Sequence, residues 1–299
     1  MDKIIAVVGP TGIGKTSLSL KLAKELKGEI ISGDSMQVYS QMNIGTAKIL
    51  PDQMEGIIHH LVGIQNYSEP YNVKIFQNKS RQAIQEILKK GKVPIFCGGT
   101  GLYLKAALYD YEFEEEEPDL EYTTFLNTLS NETLYSMLEE QDPKAAKTIH
   151  PHNRKRVIRA LQIVHSGLSK SQREDRQEHR LLYDVYFIGL DMDRDQLYAR
   201  IDQRVEEMFE QGLPEEVCTL FKDPKTWEYT SFQGIGYKEF RPYLEGKTDL
   251  ASVKKEIQKH SRQYAKRQYT WFKNQMPVHW FDKNDLSILD AVKEWYYGK

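Results

Sequence analysis

The sequence predicts an α/β fold in which a parallel sheet is flanked by helices, with an all-helical domain inserted into it. Short apolar segments alternate with amphipathic segments over the first hundred residues, and such strand–helix alternation is typical of parallel sheets. The alternation stops near residue 112 and resumes near residue 183. We therefore expect a core domain formed by residues 1–112 and 183–299 and a helical insertion domain at 113–182.

Three of the predicted strands lie within the first hundred residues. An apolar strand is predicted at 3–8, followed by an amphipathic helix, and further strands are predicted at 29–32 and 93–97. Between the last two, Asn72 is placed to cap the start of a helix, and Gly91 is placed to end it. The predicted strands at 3–8 and 93–97 are short and largely apolar, as expected for strands covered by helices on both faces.

The middle of the chain has a different composition. Residues 112–121 carry seven acidic residues in ten, with Glu114–Glu117 in a row. From there to Arg180 we find helical periodicity only, and strand character returns at Tyr183–Leu190. This interruption is the basis for the predicted insertion.

Composition limits the class of protein. The chain has 299 residues, of which 40% are apolar and 28% are charged, as in globular proteins. It contains no run of the roughly 20 apolar residues that span a bilayer, and its two cysteines form neither a disulfide framework nor a zinc spacing. We expect a cytoplasmic protein with no membrane partner. The net charge of -2 does not favour nucleic acid by itself, so the distribution of charge matters more.

The clearest motif matches G-x-x-x-x-G-K-[ST] in full and lies between a predicted strand and a predicted helix, as Gly9-Pro10-Thr11-Gly12-Ile13-Gly14-Lys15-Thr16. Glycines let successive backbone N–H groups surround phosphate oxygens, and the helix N-terminus adds positive potential. Lys15 supplies a cation, and the Thr16 hydroxyl can bind Mg²⁺. The fold is therefore predicted to be P-loop NTPase-like. The loop alone leaves the phosphate compound open, although no Asn-Lys-x-Asp motif for guanine is present.

Two polar residues follow predicted strands and so lie at the same edge of the sheet as the P-loop. Asp34 follows the second strand, and Thr100 follows the strand at 93–97. Ligands of open α/β sheets bind at this edge. Asp34 can accept a proton from a nucleophile, hold a magnesium water, or simply form a turn, and Thr100 can contact a ligand or form a turn.

Although the net charge of the chain is close to zero, basic residues form two local clusters. In a predicted helix at 249–273, Val253, Ile257, Tyr264 and Trp271 share one face, and the opposite face carries Lys255, Lys259, Arg262, Lys266 and Lys273. A second cluster, Arg154–Arg156 with Arg159, starts another predicted helix, where cations oppose the helix dipole. Basic surfaces with aromatics suit RNA, and an ordinary solvated surface is the alternative.

The ordered motifs of nearly the whole chain resemble one family, the bacterial tRNA dimethylallyltransferases, also called tRNA isopentenyltransferases. Besides the P-loop, the resemblance rests on Asp34–Tyr39, Ile44–Lys48, Gly98–Tyr103, Arg156–Leu161, Gly234–Tyr237 and Arg262–Trp271. It implies transfer of a dimethylallyl group from dimethylallyl diphosphate to the exocyclic N6 amine of adenosine 37, beside the tRNA anticodon, with release of pyrophosphate.

The resemblance also implies roles for residues. Asp34 would remove the amine proton, Thr100 would lie near the reacting adenosine, and Gly9 to Thr16 would hold the pyrophosphate, with Mg²⁺ on Thr16. The anticodon stem-loop would be contacted by Asp34, Ser35, Met36, Gln37, Lys155, Arg156, Val157, Ile158, Arg159, Gln233, Tyr237, Lys238, Lys266, Arg267 and Lys273. We expect a monomer.

Three other functions share some of these features. A P-loop kinase of a small metabolite shares the loop and the fold but does not need two basic helices. A non-catalytic RNA-binding module would show no turnover. A prenyltransferase of free adenine nucleotides would not need the Lys255 cluster.

Overall fold

The structure, a computed structural model, describes residues 1–113, 119–167 and 180–298. The acidic run Glu114–Glu117 lies outside these residues. The chain forms two compact units, one of Met1–Tyr109 with Leu181–Lys299 and one of Asp110–Arg180. We call them the core unit and the helical unit. The sequence placed the junctions at 112/113 and 182/183, a few residues further along the chain.

A six-stranded parallel sheet forms the centre of the core unit, and the predicted fold class is confirmed. The strands run in the order β3-β2-β4-β1-β5-β6 and pair in parallel throughout. Their bounds are β1 Lys3–Val8, β2 Gly28–Ser32, β3 His59–His60, β4 Val93–Gly98, β5 Asp184–Asp191 and β6 His279–Asp282. Strand β1 lies between β4 and β5, and apolar clusters cover its two faces, so its apolar side chains are fully buried.

Helices cover both faces of this sheet. They are α1 Lys15–Leu26, α2 Val73–Lys89, α3 Gly101–Leu108, α8 Arg194–Glu210, α9 Leu213–Leu220, α10 Arg241–Leu244, α11 Leu250–Gln275 and α12 Ile288–Tyr297. The predicted cap is present, since the Asn72 side chain accepts a hydrogen bond from the Ile75 N–H at the start of α2. Within the described residues, no helix has both the length and the apolar character to cross a membrane.

The long helix α11 begins and ends close to the predicted positions, but its buried face differs from the predicted one in its second half. Val253 and Ile257 are buried as expected, whereas Ala265, Gln268 and Phe272 are buried further along in place of Tyr264 and Trp271. The interior-facing stripe therefore includes a polar residue, Gln268, which is used at the P-loop.

The helical unit consists of α4 Leu120–Thr128, α5 Asn131–Gln141, α6 Pro143–Thr148 and α7 Arg154–His165. Its core is built from its own residues, among them Leu126, Leu134, Leu138 and Leu161. Arg154, one member of the second basic cluster, has a structural role. Its guanidinium donates to the carbonyls of Leu129 (2.8 Å) and neighbouring residues at the end of α4, so this cation satisfies a helix C-terminus.

Candidate active site

The P-loop connects β1 to α1 and borders a polar cavity of about 810 Å³. Gly14 immediately precedes α1 with φ of 111°, a left-handed conformation that favours glycine. We call this space the phosphate cavity; its lining includes Thr11, Gly12, Gly14, Lys15, Thr16, Asp34, Gln37, Thr46, Ala47, Gly99, Arg200, Arg204, Tyr264 and Gln268. The motif thus has the geometry that surrounds a phosphate group with backbone N–H groups.

Lys15 lies within this loop and is held by it. Its ammonium donates to the Pro10 carbonyl at 2.7 Å. Burial lowers the pKa of Lys15 from 10.5 to about 8, against the opposing influence of Cys97 and Asp34, and the nearby Arg204 lowers it further. An anion in the cavity would restore the charged form, because an opposite charge stabilises the ammonium.

Two arginines of α8 also reach the P-loop, and the sequence reasoning did not find them. Arg200 donates to the Gly12 carbonyl at 3.0 Å, and Arg204 donates to the Thr11 hydroxyl at 3.1 Å. Both line the phosphate cavity. With Lys15 they supply three cations around one cavity, which fits the charge of a diphosphate. No local motif signalled them, because they lie far along the chain from the loop that they contact.

The donors present fit Mg²⁺ only in combination with a phosphate ligand. Thr16 is exposed in the first turn of α1 and lines the cavity, as does Asp34. Among the described residues no group of three or more His, Cys, Asp and Glu side chains could hold a metal ion alone. Mg²⁺ is commonly held by one or two protein oxygens together with substrate phosphates, and Thr16 and Asp34 meet that requirement.

Asp34 and Thr100 lie together at the sheet edge, as their positions after two paired strands predict. The Gly33 N–H donates to the Cys97 carbonyl (2.9 Å), and the Thr100 N–H donates to the Gly33 carbonyl (3.2 Å), so the two loops run side by side. A methyl group on Gly98 would come within 2.4 Å of Gly33, so only glycine permits this approach. The Ser35 N–H donates to the Thr100 hydroxyl at 3.3 Å.

The carboxylate of Asp34 forms a turn with the residues that follow it, but it uses only one of its two oxygens to do so. Its Oδ1 accepts from the N–H groups of Met36 (2.8 Å) and Gln37 (3.2 Å). For the other oxygen, Oδ2, no hydrogen bond is found among the residues described. The turn therefore fixes the carboxylate and leaves one oxygen for chemistry.

A second, more apolar cavity of about 460 Å³ adjoins the first. We call it the acceptor cavity; its lining includes Asp34, Ser35, Met36, Gly45, Tyr71, Thr100, Tyr103, Val205, Met208, Gln233, Ile235, Lys238, Ile257 and Arg267. Five residues line both cavities: Thr11, Asp34, Thr46, Arg204 and Tyr264. A molecule held in one cavity can therefore meet a group in the other beside the Asp34 carboxylate.

Tyr264 and Gln268, one turn apart on α11, also belong to this junction and were not identified as site residues from the sequence. Gln268 accepts from the Thr11 N–H (2.9 Å) and donates to the Gly99 carbonyl (2.9 Å), joining the P-loop to the loop before α3. Burial raises the pKa of Tyr264, and the nearby Asp34 carboxylate raises it further. The signal available in the sequence was a polar residue, Gln268, on the face of α11 that faces the protein interior.

The residues expected to contact tRNA are divided between the two units. Ser35, Met36, Gln233, Lys238 and Arg267 line the acceptor cavity, and Gln37 lines the phosphate cavity. Exposed side chains are also found for Lys266 and Lys273 in the core unit and for Lys155, Arg156 and Arg159 in the helical unit.

Three of the residues expected to contact tRNA have side chains in or against the protein interior. The side chains of Val157 and Tyr237 are fully buried, and Ile158 packs against the core of the helical unit. Val157 belongs to that same core, and the Tyr237 hydroxyl donates to Glu216 at 2.7 Å. The fully buried side chains of Val157 and Tyr237 can therefore support a binding surface only indirectly, whereas Ile158 is half-buried.

The basic face of α11 carries no acidic residue of its own, but neighbouring acids partly neutralise it. Lys259 pairs with Glu256 at 3.0 Å, Arg262 pairs with Asp202, and Lys273 lies 3.9 Å from Asp191. Two of these acids come from other segments, which helical periodicity cannot reveal. Lys266 and Arg267 have no ion pair within the described part of the chain, and the Arg267 guanidinium lies 5.7 Å from the Tyr264 ring centre.

The fold and the two cavities define a P-loop protein with an anion site beside a second ligand cavity. Residues 37–275 match the family described as IPP transferase, and residues 2–62 match the family described as Isopentenyl transferase. The chain belongs to the IPP transferase family.

Named relatives and solved structures that are similar to this chain are consistent with that family. The tRNA dimethylallyltransferase of Anoxybacillus flavithermus is 46% identical, over 97% of this chain and 93% of that protein. A crystal structure of a tRNA delta(2)-isopentenylpyrophosphate transferase from Staphylococcus epidermidis is 41% identical, covers 100% of this chain and 99% of its own, and superposes with a TM-score of 0.74. A eukaryotic dimethylallyltransferase, described as acting on tRNA, is 31% identical with a TM-score of 0.85, covering 100% of this chain and 80% of its own.

Proposed function

We propose that this protein transfers a dimethylallyl group from dimethylallyl diphosphate to the exocyclic N6 amine of adenosine 37 in tRNA and releases pyrophosphate. One observation carries the proposal: the Asp34 carboxylate lies where a cation-rich phosphate cavity meets a largely apolar cavity. A diphosphate with a short apolar chain matches the first cavity and the junction. An adenine amine in the second cavity would reach the same carboxylate.

The residues support a direct displacement. The lone pair of the amine attacks the allylic carbon, the carbon–oxygen bond to the diphosphate breaks, and its electron pair leaves with the pyrophosphate oxygen. Lys15, Arg204 and the P-loop N–H groups stabilise the negative charge on the leaving group. The free oxygen of Asp34 accepts the proton from the nitrogen, whose lone pair is otherwise delocalised into the ring. Thr100, adjacent to this carboxylate, orients the amine.

We also propose that the Thr16 hydroxyl binds Mg²⁺. When bound there, Mg²⁺ would neutralise negative charge on the diphosphate and so favour its departure as pyrophosphate. The chain's own cations hold the remaining oxygens of the diphosphate.

The acceptor is proposed to be an unstacked base rather than a free nucleotide. An amine within a stacked anticodon loop becomes accessible only when its base is turned out, as in other base-modifying enzymes. The exposed Lys266 and Arg267 near the acceptor cavity suit the flanking RNA backbone, and Lys155, Arg156 and Arg159 offer the helical unit a further RNA surface. We further propose that the protein acts as a monomer, and its two free cysteines support a cytoplasmic location.

The test is incubation of the protein with unmodified tRNA, dimethylallyl diphosphate and Mg²⁺, followed by mass analysis of the nucleosides. We expect one adenosine per tRNA to gain a dimethylallyl group, with stoichiometric pyrophosphate. Release of ADP from ATP with a small acceptor would instead indicate a kinase. Modification of free adenine nucleotides at the same rate as tRNA would contradict the RNA part of the proposal.

A further inference from the structure

A single loop, Asn43–Ala47, forms a wall of both cavities. Thr46 lines both of them, Ala47 lines the phosphate cavity, and Gly45 lines the acceptor cavity. Ala47 has φ of 45°, a left-handed conformation that is unfavourable for a residue other than glycine. Such a conformation persists only where neighbouring groups hold it. The structure of this loop therefore depends on contacts from outside it.

The main external contact is one carboxylate, that of Glu216 in α9. Its Oε2 accepts from the N–H groups of Asn43 and Ile44, each at 2.8 Å, and its Oε1 accepts from the Gly45 N–H at 3.1 Å. Successive backbone N–H groups directed at one anion form charge-assisted hydrogen bonds. Glu216 lines neither cavity among the residues that define them, so it acts on the ligands only through the loop.

The same carboxylate holds a second wall of the acceptor cavity. Its Oε1 also accepts from the buried Tyr237 hydroxyl at 2.7 Å. Tyr237 follows Gln233–Gly236, which line the acceptor cavity. The two walls are in close contact, because a methyl group on Gly45 would come within 2.7 Å of the Tyr237 ring.

The opposite side of the loop is held by a residue of the Asp34 turn. The Gln37 side-chain amide donates to the Ala47 carbonyl at 3.1 Å and to the Thr46 carbonyl at 3.4 Å. Gln37 in turn donates its backbone N–H to Asp34 Oδ1. A continuous set of hydrogen bonds therefore runs from Glu216 through the loop to Asp34.

We propose that Glu216 is a positioning residue for the transfer reaction: it fixes the Asn43–Ala47 loop and the Tyr237 segment, and thereby the distance between the diphosphate and the acceptor amine. The inference rests on the proposed function. Both oxygens of Glu216 accept hydrogen bonds. A glutamine at this position would replace one of these oxygens with an NH₂ group, which would face N–H or O–H donors and could not accept from them. Glu216→Gln therefore displaces a wall while preserving side-chain size.

The experiment compares Glu216→Gln with Glu215→Gln, its exposed neighbour on the same helix. We expect kcat for tRNA prenylation in Glu216→Gln to fall roughly 10- to 100-fold, the cost of a small misplacement of reacting groups. Affinity for inorganic pyrophosphate should change much less, since Lys15, Arg200 and Arg204, the cations of the phosphate cavity, lie outside the displaced loop. Amide hydrogen exchange should accelerate at Asn43, Ile44 and Gly45. Glu215→Gln should match wild type in all three measurements.

The outcomes separate the two claims. If wild type prenylates tRNA and Glu216→Gln retains its kcat, the positioning role is wrong. A loss of exchange protection spread over the whole core unit would also overturn it, because Glu216 would then only stabilise the fold. An inactive wild type would contradict the proposed function, while faster exchange confined to 43–45 would still establish the control of the loop. If Glu216→Gln does not fold, Tyr237→Phe tests the idea by removing one of the four hydrogen bonds, and we expect a smaller fall in kcat.

Discussion

Asp34 forms a turn with one carboxylate oxygen, and this leaves room for the base role that we propose for the other oxygen. One oxygen forms the turn that carries Met36 and Gln37, and the other is directed to no partner among the described residues. The turn therefore holds the carboxylate in one orientation at the junction of the cavities. In the proposed reaction, a carboxylate held in this way would not need to reorganise when the amine arrives.

For Asp34→Asn we expect a fall of about 10²–10⁴-fold in the single-turnover rate, the usual contribution of a general base. The amide preserves shape but cannot accept the proton, so tRNA and dimethylallyl diphosphate should still bind. If Asp34 mainly binds Mg²⁺, diphosphate affinity should weaken and excess Mg²⁺ should partly restore it. Measuring rate and affinity over a range of Mg²⁺ concentrations distinguishes these roles, and an unchanged rate would exclude Asp34 from the reaction.

Lys15 makes binding of the diphosphate dependent on pH. Because burial lowers its pKa to about 8, the ammonium is charged below that pH and increasingly neutral above it. We expect the affinity for pyrophosphate to decrease as pH rises above about 8, by up to about tenfold per unit. Calorimetric titration between pH 7 and 9 measures this, with Lys15→Ala as control. The variant retains only the titration of the ligand, so parallel profiles for the two proteins would exclude Lys15 as the cause.

At the scale of elements, the sequence predicts β1, β2, β4 and β5 but neither the short strands β3 and β6 nor the contacts between helices. Strands such as β1 are runs of buried apolar residues, which mark their own bounds, and the edge where Asp34 and Thr100 meet follows from parallel pairing. Helical periodicity places Lys259 and Arg262 on one face of α11, but Arg262 is neutralised by Asp202 on another helix. Arg204 reaches the P-loop by the same kind of long-range packing. Contacts of that kind depend on how helices pack together, which local patterns do not encode.

The cations on the basic face of α11 differ in whether they form ion pairs, so their contributions to tRNA binding should differ. Replacing Lys266 and Arg267 with Gln should weaken tRNA binding and reduce the salt dependence by somewhat under one unit for each RNA phosphate that is no longer neutralised. Lys259→Gln is the matched control, since Lys259 already pairs with Glu256 and should contribute less. Binding measured from low to moderate salt gives the slopes. Equal slopes for the double variant and wild type would mean that these side chains are ordinary surface.

Strand β2 is anchored at its start by a buried carboxylate. Glu29 accepts from His60 (2.7 Å) in β3 and from Lys90 (3.0 Å) and Lys92 (2.9 Å), which lie between α2 and β4. Burial alone would raise the pKa of Glu29, but these hydrogen bonds outweigh it and lower the pKa from 4.5 to about 2. The charged form is thus favoured by folding. Its contribution to stability is complete above about pH 4.5 and is lost as pH falls towards 2.

We expect Glu29→Gln to lower the free energy of unfolding at pH 7 by about 1–3 kcal/mol, a value reduced by the partial exposure of both lysines. The difference from wild type should shrink as pH falls below 4.5. Urea unfolding at several pH values measures it. Glu25→Gln removes the exposed pair with Lys293 and should cost less than about 1 kcal/mol, with little dependence on acid. A constant difference for Glu29→Gln down to pH 2 would contradict the assigned pKa.

At the scale of the whole molecule, the chain leaves and re-enters the core unit at one place. Tyr109 and Leu181 form an antiparallel bridge, and the Leu182 N–H donates to the Leu108 carbonyl at 2.9 Å. The Arg81 guanidinium holds the Tyr109 carbonyl at 2.6 Å. The apolar clusters of the core unit contain no residue of the helical unit among those described. The ends of the insertion are therefore joined by the core unit itself.

We expect the core unit to fold when residues 110–180 are replaced by a short Gly-Ser linker. Closing a shorter loop costs less chain entropy, and the bridge at Tyr109 and Leu181 already brings its ends together. The shortened protein should unfold cooperatively and bind pyrophosphate with unchanged affinity, because the P-loop, Arg200 and Arg204 remain. Prenylation of tRNA should fall sharply, since Lys155, Arg156 and Arg159 are removed. Full-rate prenylation would show that the helical unit has no part in RNA binding, and failure to bind pyrophosphate in a folded protein would mean that the phosphate cavity depends on it.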